Sequence, residues 1–177
     1  YKFRHKANYE ADVLASNLFG KASETGIMPV NYTAVPWAIF TCPQIAHVGM
    51  TEAQAAAAGG RLLVGINRYS AVANAYAMGY EPGDADDGFV KLIADANRHI
   101  LGVHIIGPHA AILIQAFVYL MNAGFSCTLP PPEARVIKKL RRLPMETVHT
   151  CLEAGTLMPI YESMVIHPAL SEVAAWV

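Results

Sequence analysis

The sequence predicts an α+β fold, a mostly antiparallel β-sheet with flanking helices. Three observations carry that prediction. Phe89 to Ala94 and His99 to Ile106 are two Val- and Ile-rich runs joined by Asp95-Ala96-Asn97-Arg98, whose Asp and Asn suit a tight hairpin. Strand and helix patterns mix along the chain without a regular βαβ rhythm. The chain has 177 residues, 54% of them hydrophobic, enough to bury a core without disulfide or structural metal.

The elements follow in order. Residues 7 to 19 place Ala11, Leu14, Ala15, Leu18 and Phe19 at helical spacing, with Asn8, Glu10, Asp12 and Asn17 opposite, and predict an amphipathic helix ending at Gly20. Residues 20 to 34, with Gly20, Gly26, Pro29 and Asn31, read as a linker. A β-rich stretch from Trp37 to Val48 runs into Thr51-Glu52-Ala53-Gln54, a capping box that opens a helix through Ala58 and stops at Gly59-Gly60. Leu62 to Tyr69 alternates as a strand does, and Tyr80 to Gly88 reads as an exposed loop with three aspartates.

After the hairpin and Gly107-Pro108, residues His109 to Asn122 form a helix that is apolar nearly all round, closed by Gly124. Such a helix needs cover on more than one side. A second subunit is one source of that cover, and a central place in one subunit's core is the other. Pro130-Pro131-Pro132 breaks the chain before a short basic amphipathic helix, Glu133 to Leu143, read as a solvated face. A last helix, His167 to Val177, starts with Pro168 in its first turn.

Several function classes are excluded by composition. Thirteen Lys+Arg against 14 Asp+Glu leave no basic footprint for nucleic acid. The most apolar window, Ala110 to Met121, is too short for a membrane-spanning helix. Cys42, Cys127 and Cys151 fit neither a disulfide framework nor a CxxC motif, and a reducing cytoplasm suits them. The start has no initiator Met, so the chain reads as a piece of something longer.

No GxGxxG or GxxxxGK occurs, and Asp84-Ala85-Asp86-Asp87-Gly88 lacks the ligand spacing of a calcium loop. His99, His104 and His109 recur every five residues, a spacing that puts strand neighbours on opposite faces and argues against a metal site. His167 and Glu172 differ in kind. A His just before a helix can have one ring nitrogen held by a Glu five residues on, leaving the other free to exchange protons. The same spacing recurs at His5/Glu10 and His47/Glu52, so on pattern alone a capping or surface histidine competes with that reading.

Four ordered motifs weigh against accident. They are Val35-Pro36-Trp37-Ala38-Ile39-Phe40-Thr41-Cys42-Pro43-Gln44-Ile45-Ala46-His47-Val48-Gly49-Met50-Thr51-Glu52-Ala53, Gly88-Phe89-Val90-Lys91-Leu92, Ile100-Leu101-Gly102-Val103-His104-Ile105-Ile106-Gly107-Pro108 and His167-Pro168-Ala169-Leu170-Ser171-Glu172. Together they resemble the C-terminal interface, or dimerisation, domain of the pyridine nucleotide-disulfide oxidoreductases, dihydrolipoamide dehydrogenase and mercuric reductase among them. The resemblance implies that residues 1–26 are the trailing helix of a missing FAD domain and 27–177 the interface domain, with an insertion at about 128–163.

It further implies a homodimer whose parent chain is a FAD-dependent NAD(P)H:disulfide oxidoreductase acting on a small dithiol or disulfide. FAD and NAD(P)H would be held by the missing domains, none by this piece alone, which by itself should be inactive. His167 would be the acid/base lent to the partner's active site and Glu172 its orienting carboxylate. The His167-Pro168 backbone would lie near the partner's flavin, with its bond cis. Two departures qualify this. Ile112 stands where many members have an acidic residue, and the vicinal cysteines that end mercuric reductases are replaced by Ala175-Trp176-Val177, against mercury reduction. The competing reading is a non-catalytic dimerisation module of a flavoprotein reductase with a non-thiol acceptor.

Overall fold

A computed structural model describes residues 2–19, 27–123 and 163–167. Two compact units divide the chain: Val35–Met121, and Tyr1–Ala34 with Asn122–Val177. The first holds a five-stranded sheet in the order β1-β2-β5-β4-β3, antiparallel at every pairing. Its strands are β1 (Trp37–Ile39), β2 (Gln44–Gly49), β3 (Leu62–Arg68), β4 (Phe89–Asp95) and β5 (Ile100–Gly107). The helices among the described residues are α1 (Arg4–Phe19), α2 (Glu52–Ala58), α3 (Ala73–Ala77) and α4 (Ala110–Asn122), with a 3-10 turn at Tyr69–Ala71. The α+β expectation stands.

The β4–β5 hairpin closes as its turn residues predict. The Asp95 carboxylate accepts the N–H groups of Asn97 and His99, each at 2.9 Å, and Arg98 takes a left-handed φ of 70°. The β-rich stretch is two strands, because Thr41-Cys42-Pro43 turns between β1 and β2. The capping box forms in full, Thr51 receiving the Gln54 N–H and Gln54 the Thr51 N–H. Tyr69, expected to end a strand, opens the 3-10 turn, and α3 follows where no element is predicted.

One sheet face is the core. Ala46 and Val48 on β2 stand beside Ile105 and Val103 on β5, all four fully buried. Ile114 and Val118 of α4 are buried equally, and the Ala111 N–H donates to the Gln44 side chain at 3.3 Å, tying the helix start to that face. Leu113, Ala116 and Leu120 fall on the opposite side of α4 and stay exposed. The helix is therefore covered on one side within this unit.

Two expectations need correction. Helix α1 starts three residues early, and it buries His5, Tyr9, Val13 and Ser16 while Leu14, Leu18 and Phe19 are exposed. The packed stripe is the i, i+4, i+7 set Tyr9, Val13 and Ser16, which the Leu14, Leu18 and Phe19 stripe does not include. The 80–88 loop is not wholly exposed either. Asp87 is buried and holds Ser70, receiving its N–H at 3.0 Å and its hydroxyl at 2.8 Å.

Candidate functional site

His167 lies at the end of the described Ser163–His167 segment, half-buried. Glu172 and Pro168 lie outside the described residues, as do the cis bond, the 133–143 helix and the 128–163 insertion except its last residue. What the structure does show is how the approach to His167 is held. Met164 and Ile166 are buried, and between α1, the 27–34 stretch and the last residue of α4 runs a chain of polar contacts that ends on Ser163.

That chain has a direction. The Asn31 N–H donates to the Tyr9 hydroxyl at 3.2 Å, and the Asn31 side-chain carbonyl is taken by the Thr33 N–H at 2.9 Å. The Asn31 amide must therefore donate through Nδ2, which reaches Asn122 Oδ1 at 3.1 Å. Asn122 Nδ2 is then left to donate to Ser163 Oγ at 2.8 Å. Asn122 is 2% exposed, so both ends of its amide are satisfied inside the protein. None of Asn31, Asn122 and Ser163 is singled out by sequence as a functional residue; the one signal is an amide closing an apolar helix.

The histidines of the sheet unit go to separate places. His99 pairs with Asp95, Nδ1 to Oδ2 at 2.9 Å, and this hydrogen bond is the main reason the Asp95 carboxyl sits below its ordinary range. His109 is exposed at the start of α4 with φ 59°. His104 faces His47 across β2 and β5, with the two Nδ1 atoms 3.0 Å apart. Trp37 lies tilted against His47, ring centroids 5.1 Å apart, and Lys91, paired to Glu52, is the next residue in the row. Burial and then the charge of His104 push the His47 imidazole down, against a smaller opposing effect of the Gly49 backbone. No group of three or more metal-binding side chains occurs among the described residues.

A dinucleotide does not fit the described residues. The turns that lead into α2 and α4, Gly49–Thr51 and Gly107–His109, carry one glycine each, the Thr51 side chain takes the Gln54 N–H of α2, and Gln44 takes that of Ala111.

Comparison with known proteins decides the family. Residues 35–129 match the pyridine nucleotide-disulphide oxidoreductase dimerisation domain, more than half of the chain and all five strands. The chain belongs to this family. It is 41% identical over 128 residues to a mycothione reductase of Mycobacterium tuberculosis, covering 71% of this chain and 27% of that protein. To a dihydrolipoyl dehydrogenase of Cupriavidus necator it is 40% identical over 119 residues, covering 67% and 23%. Among solved structures, the HOCl-induced flavoprotein disulfide reductase RclA from Escherichia coli superposes with a TM-score of 0.52 at 25% identity, over 62% of this chain and 24% of that one. The dimerisation-domain chain thus spans about a quarter of the length of the curated relatives it matches.

Proposed function

We propose that this chain is the interface part of a homodimeric, FAD-dependent NAD(P)H:disulfide oxidoreductase of the cytoplasm, most like dihydrolipoamide dehydrogenase, and that it supplies His167 and Glu172 to the partner subunit's active site. The observation that carries the reading is the antiparallel sheet of a dimerisation family, with buried Met164 and Ile166 leading into His167 further along the chain. Named relatives that are disulfide reductases or dihydrolipoyl dehydrogenases support the reaction class.

FAD and NAD(P)H belong to the rest of the parent chain, since the described residues do not fit them. Bound there, a flavin would supply two-electron transfer between nicotinamide and the sulfur centre. His167 does the proton work. Its neutral imidazole takes the proton of a dithiol substrate's S–H, leaving the thiolate that attacks a disulfide, and returns the proton in the reverse direction. A Glu172 carboxylate on the other ring nitrogen would fix the tautomer and stabilise the imidazolium.

The test is lipoamide-dependent NADH oxidation by the full-length flavoprotein, wild type against His167→Gln. A loss of about 10²-fold or more in turnover with bound flavin unchanged is expected. Near-equal rates in an active wild type would remove His167 from catalysis and leave a dimerisation scaffold, whereas a wild type that ignores lipoamide would remove the dithiol substrate first. The isolated 177-residue chain is expected to be inactive in the same assay.

A further inference from the structure

We propose that Asn122 is a positioning residue for His167, acting through Ser163; this rests on the acid/base reading of His167. The Ser163–His167 segment lies in neither helix nor strand. Met164 and Ile166, 3% and 1% exposed, fix its depth in the unit, but apolar burial has no directionality and does not by itself set the heading of the chain. A hydrogen bond does. The 2.8 Å contact from Asn122 Nδ2 to Ser163 Oγ is made by two buried side chains, four residues before His167.

The orientation of that donor is itself determined upstream. Because the Thr33 N–H occupies the Asn31 carbonyl, Asn31 presents Nδ2 to Asn122, and Asn122 has only one way to turn its amide. Tyr9 on α1 holds the Asn31 N–H at the far end. Ser163 therefore meets a preset donor. With that donor removed, the segment keeps its apolar anchors and loses a buried hydrogen bond that helps aim it, and an imidazole displaced by about 1 Å from its thiol forfeits about 10- to 100-fold in rate.

The experiment compares Ser163→Ala, Ser163→Thr, Asn122→Ala and His167→Gln in the full-length flavoprotein. Three readouts are taken: lipoamide-dependent NADH oxidation with its pH profile, NADH-ferricyanide reduction, which drains electrons without a dithiol proton, and the imidazole NMR titration of His167. Ser163→Ala and Asn122→Ala should lower lipoamide turnover about 10-fold, shift the pH limb and the His167 titration, and leave ferricyanide reduction within about twofold. Ser163→Thr, which keeps the hydroxyl, should restore both.

Parallel loss of the two activities, or an unmoved His167 titration in Ser163→Ala, would overturn the positioning role. The two readings separate cleanly. If His167→Gln cuts lipoamide turnover and Ser163→Ala does not, only the positioning proposal fails; if His167→Gln is silent, the acid/base reading fails and takes the positioning role with it.

Discussion

His47 and His104 are direct cross-strand partners whose Nδ1 atoms lie 3.0 Å apart. One nitrogen must donate and the other accept. His104 Nε2 faces the Met50 carbonyl at 3.2 Å, which assigns that nitrogen the proton and leaves His104 Nδ1 as acceptor for the His47 Nδ1–H. Burial first, and the charge of His104 second, disfavour protonating His47 in the folded state, so its pKa lies below the ordinary 6.5. The unfolded chain binds the proton more readily, so stability is complete above about pH 6.5 and falls as pH drops below it. Denaturant midpoints measured from pH 7.5 to 5 should decline, and His47→Phe should flatten that decline. An unchanged slope in the variant would show that His47 is not its source.

Asp87 should matter more to stability than its place in an acidic loop suggests. Its buried carboxylate holds both the N–H and the hydroxyl of Ser70, and its backbone carbonyl receives Arg68 Nη1 at 3.3 Å. Asp87→Ala leaves two donors at Ser70 without their acceptor and should cost about 1–3 kcal/mol, while Ser70→Ala removes a single hydroxyl bond and should cost about 1 kcal/mol. Shifts in denaturant midpoint at constant slope would check the order of the two. Equal costs would contradict it.

The sheet was legible in the sequence because its signals are local. The Asp95–Arg98 turn, the Thr51/Gln54 box and the Leu62 to Tyr69 strand pattern each act over a few residues, and the structure forms the turn, the box and a strand that stops at Arg68 and is exposed along both faces. Contacts set by register were not legible. His47 and His104 are 57 residues apart, and the β2–β5 pairing alone makes them neighbours. Asn31 and Asn122 are 91 apart, so the amide relay toward Ser163 has no sequence pattern at all. The His167-Glu172 pair came from ordered motifs, and Glu172 lies outside the described residues.

Gly102 and Gly65 make a controlled pair for the β-sheet. Gly102 sits opposite Gly49, and a Cβ there would run into the Met50 backbone carbonyl, which is held by the hydrogen bond from the Met50 N–H to the Leu101 carbonyl. Gly65 on β3 has nothing within 4 Å of the same position. Gly102→Ala should therefore destabilise by about 1–3 kcal/mol, and Gly65→Ala should be neutral or slightly stabilising, because it narrows the unfolded chain. Thermal melts of the two variants side by side would decide. Similar losses at both sites would mean that strand position, and not the Met50 contact, sets the cost.

The exposed side of α4 should be where a second copy docks. Leu113 and Leu120 are 44% and 59% exposed, with exposed Ala116 between them, while Ile114 and Val118 on the other side pack inward at 0%. A stripe of this kind, one helical turn after another, presents apolar surface with small relief at its centre. A dimerisation family needs such a face, and the chain belongs to one. Leu120→Glu replaces an exposed side chain, so the fold should change in stability by no more than about 0.5 kcal/mol, yet in a dimer it would bury two unpaired carboxylates. Light scattering of the full-length protein should show the mass of Leu120→Glu halved at micromolar concentration. Ile66→Lys is the control, since Ile66 on β3 is 60% exposed as well. It should leave the dimer intact, and the reverse result would move the interface from α4 to the β3 edge of the sheet.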